Sequence, residues 1–292
     1  MKPAPFKYYA PTTLEASLTL VTEHGYDAKL LAGGQSLIPT MNFRLAEPSI
    51  IVDLNCVSEL DYIRETRSGG LNIGAMTRQR SLERSDLVAK HSPLIYETMP
   101  FIAHPQIRNR GTVGGSIAHA DPAAEFPAIF TALDAKFRLQ NKNGDRWVPI
   151  RDFYLGMFAT EMADEEILVE IEIPAMPKRS GYAFTEVARR HGDYAIVGVA
   201  AVISVDRKGR CQDCKLVFLS VGDGPVEALQ AADVLKGESF SPEVVKAAAH
   251  AAAHKDIDPG DDLHASAAYR RHLANNLSIQ VLTTAFQRAV NK

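Results

Sequence analysis

The chain has 292 residues and a formal net charge of −3, with 46% apolar and 23% charged residues. That balance suits an ordinary globular protein of two domains, and the lack of any basic block excludes the clustered cations that nucleic-acid binding requires. No apolar run approaches the ~18 residues needed to span a bilayer, and Cys56, Cys211 and Cys214 are too few for a disulfide framework or a four-thiolate iron–sulfur cluster on this chain alone.

The N-terminal segment Met1–Tyr9 is broken by Pro3 and Pro5 and has no apolar core, so it does not read as a signal peptide, and a cytoplasmic location is expected. Thr12-x-x-Glu15 forms a capping box, and Leu14, Leu18 and Val21 follow at helical spacing, which predicts a helix over 13–24. Short strands are predicted at 29–32, 50–54, 71–75 and 135–140, the last turning at Asn141-Lys142-Asn143-Gly144 into a partner at 147–150. Parts of 85–101 and 123–133 read as helix. Ile167–Ile173 alternates apolar and acidic residues, as a half-buried strand does.

Pro174-Ala175-Met176-Pro177-Lys178-Arg179-Ser180-Gly181 is the best boundary, dividing the chain into domains of residues 1–177 and 178–292. Beyond it, 195–205 and 210–221 form a long predicted hairpin around Asp206-Arg207-Lys208-Gly209. Ser241-Pro242-Glu243 opens an Ala-rich helix to about 254, and a final amphipathic helix is predicted over 266–290. Cys211 and Cys214 lie in a strand-like run, where residues three apart point to opposite faces, which argues against a shared metal. His24, His91, His250, His254, His264 and His272 are expected on the surface. His104 and His119 flank the second of the two glycine loops described next.

Two glycine pairs carry the chemical signal. Ala32-Gly33-Gly34-Gln35-Ser36 follows a strand, and Gly111-Thr112-Val113-Gly114-Gly115-Ser116 lies far along the chain. Glycine admits positive φ and close approach of the backbone, so that successive N–H groups can cradle an anion. Two such loops could converge on one diphosphate, although either alone also reads as a tight turn. There is no G-x-x-x-x-G-K-[ST], and Gly222-Asp223-Gly224-Pro225 fails the dinucleotide pattern because Glu227 takes the sixth position.

Taken in order, these segments resemble the FAD-binding medium subunits of molybdenum hydroxylases, the xanthine and carbon monoxide dehydrogenase family. The resemblance rests on 32–36 with Leu37-Ile38-Pro39, on Ile73-Gly74-Ala75-Met76-Thr77, on Ile107–Ser116, on Arg190-His191-Gly192-Asp193-Tyr194-Ala195 and on Ser266–Leu273. Gln35 departs from the pattern, since many relatives carry His there. The resemblance implies an α+β fold: a two-subdomain FAD-binding domain of the PCMH, vanillyl-alcohol-oxidase-like type, then a smaller domain of antiparallel sheet and helices. It implies non-covalent FAD, with molybdenum–pterin and [2Fe–2S] clusters only on partner subunits. The partners would be a small iron–sulfur and a large molybdenum–pterin chain, in a dimer of heterotrimers.

By that resemblance Ala32, Gly33, Gly34, Gln35 and Ser36, with Thr112, Gly114, Gly115 and Ser116, should hold the pyrophosphate. Glu125 should accept hydrogen bonds from the adenosine ribose, unless it is only a helix N-terminal carboxylate. Tyr194 should lie near the flavin ring, unless it is a core aromatic. Thr77 should lie near the flavin or its phosphates. Arg108 and Arg110 suit phosphate or surface ion pairs equally well. No residue is assigned as catalytic or as a metal ligand. A stand-alone FAD-dependent oxidoreductase with its own substrate and a non-catalytic FAD-binding scaffold are the alternatives, the first marked by turnover of the purified chain without partners, the second by a bound flavin that dithionite reduces but no physiological donor can.

Overall fold

A computed structural model describes residues 1–291. Fourteen strands form its sheets: β1 (Lys7–Tyr9), β2 (Ala28–Leu31), β3 (Ile50–Asp53), β4 (Ile63–Glu65), β5 (Leu71–Gly74), β6 (Lys136–Asn141), β7 (Gly144–Pro149), β8 (Tyr154–Gly156), β9 (Ala159–Thr160), β10 (Ile167–Ile173), β11 (Ser180–Ala188), β12 (Ala195–Val205), β13 (Cys211–Leu219) and β14 (Val226–Glu227). The first subdomain is a parallel sheet in the order β1-β3-β2, covered by the helix Leu14–His24, which Thr13 caps by accepting from the Ala16 amide. The second is a five-stranded antiparallel sheet, β4-β5-β10-β6-β7.

β10 joins the two subdomains. A bulge between Leu168 and Glu170 turns Ile167 and Val169 into the core of the first subdomain and Leu168, Ile171 and Ile173 into that of the second. The strand is therefore half-buried only toward its end, where Glu170 and Glu172 alternate with buried isoleucines.

The C-terminal domain is the antiparallel sheet β11-β12-β13-β14 with the helices Leu229–Leu235, Pro242–Ala251 and Ala267–Val290. Ser241 and Ser266 cap the last two by accepting from the Val244 and Tyr269 amides. All of β12 is buried. The long C-terminal helix covers one side of the sheet, so closely that a Cβ on Gly181 would lie 1.9 Å from the Ala285 carbonyl oxygen. On the other side the helix Glu125–Ala132 of the first domain packs against β12 and β13. Coverage on both sides explains the unbroken apolar run of β12, where an antiparallel strand facing water would alternate.

Two sequence expectations change here. A bulge leaves Gln212 unpaired, with Cys211 opposite Val205 and Asp213 opposite Ser204, so Cys211 and Cys214 both face the same core instead of opposite sides. His91 is not a surface residue: its side chain is 10% exposed, lies 3.4 Å from Glu65, and its Nδ1 lies 3.0 Å from the Gly69 carbonyl oxygen. Among the described residues no helix is long and apolar enough to cross a membrane, and no group of three or more His, Cys, Asp and Glu could hold a metal.

Candidate functional site: two glycine loops on one cavity

The first loop leaves the carboxyl end of β2, the edge at which open parallel sheets take ligands. Gly34 sits at φ +72°, which an L side chain rarely adopts. Among the described residues the amides of Gly33, Gly34, Gln35 and Ser36 donate to no backbone or side-chain acceptor. The Gln35 side chain folds back, its Nε2 donating to the Gly33 carbonyl at 3.0 Å. The loop is thus a row of free donors with its own side chain drawn aside.

The second loop touches the first through backbone. A Cβ on Gly33 would lie 2.5 Å from the Arg110 carbonyl oxygen and 2.7 Å from Gly111 Cα, and one on Gly115 would lie 3.2 Å from Ala32 Cβ. Arg78 braces the contact: it donates to the Arg110 carbonyl on one side and, at 2.6 Å, to Asn55 Oδ1 on the other, while Asn55 Nδ2 donates to the Ala32 carbonyl at 2.8 Å. Neither Arg78 nor Asn55 belongs to a motif, and nothing local in the sequence marks them.

The two loops are not equivalent, which corrects the expectation that both expose successive N–H groups. Thr112 caps the short helix Val113–His119, its Oγ1 accepting from Gly115 N at 3.1 Å and its carbonyl from Ser116 N at 3.2 Å. Gly114 N donates to the Ala75 carbonyl at 2.8 Å and Val113 N to that of Thr77 at 3.0 Å. These donors are spent within the protein, so the second loop supplies shape and closeness while the first supplies hydrogen bonds. Gly115 is not at positive φ; what a side chain there would meet is Thr112 Oγ1, at 2.7 Å.

Both loops line one cavity of about 680 Å³, within the usual range for small-molecule sites. Ala32, Gly33, Gly34, Gln35, Ser36, Thr112, Gly114, Gly115, Ser116, Glu125 and Tyr194 all border it. Glu125 is the first residue of its helix and borders the cavity, and burial, together with the nearby Asp121, pushes its carboxyl up to about 7. Tyr194 is 67% exposed at the cavity, which rules out the core reading.

Thr77 is the exception. It does not line the cavity, and its hydroxyl donates to the Tyr62 carbonyl at 2.9 Å and accepts from the Tyr62 amide at 3.1 Å. Arg108 is likewise no phosphate ligand: it is 4% exposed and pairs with Glu83. Arg110 borders a smaller cleft of about 330 Å³ that the first loop also lines, and not the larger cavity. Wall segments without a sequence motif are Ile102–His104, Phe158, Thr160, Met162–Asp164 and Glu166–Leu168. Gln79 also lines the cavity, with a buried Oε1 that has no partner among the described residues.

The cradle fits a dinucleotide: free amides for a diphosphate, glycines where a Cβ would fill the gap, and a cavity of about 680 Å³ that both loops line. Comparison with known proteins agrees. Residues 4–176 match the family described as the FAD binding domain in molybdopterin dehydrogenase, and residues 182–285 match the CO dehydrogenase flavoprotein C-terminal domain. The chain is 40% identical to the alpha subunit of the 6-hydroxypseudooxynicotine dehydrogenase complex of Paenarthrobacter nicotinovorans, over 99% of this chain and 97% of that one. It is 37% identical to the carbon monoxide dehydrogenase medium chain of Hydrogenophaga pseudoflava, over 99% of both. It superposes on a chain of quinoline 2-oxidoreductase from Pseudomonas putida 86 with a TM-score of 0.94 at 37% identity, covering 99% of each.

Proposed function

This chain belongs to the family of FAD-binding medium subunits of the molybdenum hydroxylases, and on that premise we propose that it is the electron-transfer flavoprotein of a heteromeric hydroxylase or dehydrogenase. The observation that carries the reading is the contact of two glycine loops, one with four free amides, on a cavity of about 680 Å³. FAD, when bound, supplies the chemistry, accepting electrons singly from a partner's [2Fe–2S] clusters and passing a pair to an external acceptor. The protein supplies binding, orientation and exclusion of water.

In this reading the amides of Gly33–Ser36 hold the pyrophosphate, and Thr112–Ser116 closes against it. Glu125 faces the ribose hydroxyls and Tyr194 the flavin ring. The exposed Leu155, Met157 and Phe158 of the β8–β9 hairpin, with Phe158 at the cavity itself, support a docking face for the iron–sulfur chain beside the flavin. A stable complex would bury at least ~1,000 Å² there. The molybdenum–pterin chain completes the heterotrimer.

Three results test this. Denaturing the purified protein is expected to release FAD, identified by mass and absorbance; FMN, or nothing after reconstitution, refutes the cofactor assignment. Co-expressed with an iron–sulfur and a molybdenum–pterin partner, the chain is expected to co-elute with both, and full turnover of a substrate by the isolated chain would instead establish a stand-alone oxidoreductase. Tyr194→Ala is expected to change the flavin spectrum and reoxidation rate more than it changes FAD content; an unaltered spectrum and rate would remove Tyr194 from the ring's surroundings.

A further inference from the structure

Gln79 is the first residue of the helix Gln79–Glu83, and its backbone is fastened to the second glycine loop. Its amide donates to the Gly111 carbonyl at 2.9 Å, Arg78 pairs with Thr112, and the Thr77 carbonyl accepts from Val113 N at 3.0 Å. Three successive residues are thus held against the loop, so the fold sets where the Gln79 side chain begins.

That side chain lies against Gly111. A Cβ on Gly111 would come within 2.8 Å of Gln79 Oε1, 2.9 Å of Cδ and 3.2 Å of Nε2, so the carboxamide fills the space that a larger residue would need. Gly111 is not at positive φ, and this contact is the reason it is glycine. The same residue meets the first loop, since a Cβ on Gly33 would lie 2.7 Å from Gly111 Cα. One glycine therefore touches both the carboxamide and the loop with the free amides.

Gln79 is 6% exposed, yet it lines the cavity. Its Oε1 is buried without a hydrogen-bond partner, and its Nε2 donates to no acceptor among the described residues. Buried side-chain polar atoms in folded proteins are nearly always hydrogen-bonded. A carboxamide with both ends idle at a cavity wall is what a group looks like when its partner is a ligand.

We infer that Gln79 is a further cofactor-binding residue, its carboxamide hydrogen-bonding a hydroxyl of the bound dinucleotide beside the diphosphate. The inference rests on the FAD reading above and adds the residue and the group it meets. A carboxamide has a donor end and an acceptor end, and a half-turn of its last torsion, which is broad and two-fold, exchanges them. A diphosphate oxygen only accepts, so it satisfies Nε2 alone. A hydroxyl donates and accepts, so it satisfies whichever end faces it. The diphosphate of FAD has hydroxyls on both sides, on the ribityl chain and on the adenosine ribose.

Gln79→Met tests this, because it keeps an unbranched chain of similar length and removes the carboxamide. Two effects of opposite sense are expected. In the flavin-free protein the urea midpoint stays at the wild-type value or rises, since an unpartnered buried polar group is gone. FAD affinity, titrated by the change in flavin fluorescence, falls about tenfold with the lost bond. A residue that merely supports the wall would lower both. Wild-type FAD affinity in Q79M, or a lower midpoint in its flavin-free form, overturns the inference.

ADP carries the diphosphate and the ribose without the ribityl chain, so it locates the hydroxyl. An equal loss of ADP affinity supports the inference with the ribose as source, and a loss for FAD alone supports it with the ribityl chain. If wild type binds neither ligand, the cofactor reading fails and this inference with it; if wild type binds FAD and Q79M binds it equally well, Gln79 alone is removed. Should Q79M not fold, solvent exchange of the Gln79 side-chain N–H groups in wild type, followed by nuclear magnetic resonance, decides: slowing on addition of FAD supports the contact, and unchanged exchange refutes it.

Discussion

Gly33→Val and Gly34→Val are each expected to yield folded protein without flavin. Gly34 requires positive φ, where a Cβ costs ~1–2 kcal/mol before any contact is counted, and its side chain would also press on Ile38 and Leu31 at 3.1 Å. Gly33 fails for another reason. Its Cβ would meet the Arg110 carbonyl oxygen at 2.5 Å, and backbone cannot swing aside as a side chain does, so the loops must part. Parting them re-aims the free amides of Gly33–Ser36. Each lost hydrogen bond to a charged group costs roughly 1.5–3 kcal/mol, so affinity should fall tenfold or more per bond. Neither glycine belongs to a hydrophobic cluster, so far-UV circular dichroism should change little. Gly115→Val should follow through its clash with Thr112 Oγ1. Wild-type FAD content in the Gly33 and Gly34 variants would show that the first loop is an ordinary turn.

Arg108→Met is expected to be the most destabilising single change near the site. Arg108 Nε and Nη2 donate to the two carboxylate oxygens of Glu83 at 3.0 and 3.1 Å, and Nη1 donates to the carbonyls of Ile102 and Ala103 at 2.7 and 3.1 Å. Burial pulls the Glu83 carboxyl up, but bonds from Arg108 and Arg80 outweigh it and hold the group below its ordinary value. Removing Arg108 leaves Glu83 with Arg80 alone and takes the donor from two carbonyls, a loss of roughly 1–3 kcal/mol. The damage should reach the cavity, because Ile102, Ala103 and His104 line it. Arg108→Lys should be intermediate, keeping the charge without the fork. Because the Glu83 carboxyl is held below its unfolded value, its share of the stability is present at neutral pH and lost as pH falls through the folded value. A urea midpoint shift worth under ~1 kcal/mol would show the pair to be no stronger than a surface ion pair.

The parts of this protein that the sequence determined alone are those set by short-range rules. A cap can announce itself by a hydroxyl ahead of a proline and an acid, as at Ser241, although at the first helix the cap is Thr13, one residue beyond the Thr12 that the spacing to Glu15 indicates. The long hairpin of β12 and β13 and the turns at the two glycine loops are legible for the same reason, because turn chemistry and periodicity act within a few residues. What only the tertiary structure decided depends on partners distant in the chain. The register slip at Gln212 turned both cysteines into one core. The Thr77 hydroxyl was taken by Tyr62, and Arg108 was drawn into the interior by Glu83. Two loops alike in composition divided the work, since the amides of one met carbonyls at Ala75 and Thr77 while those of the other met none. Glu186 of β11 carried no signal of its burial: a glutamate alternating along a strand reads as solvent-facing, yet its Oε2 is buried.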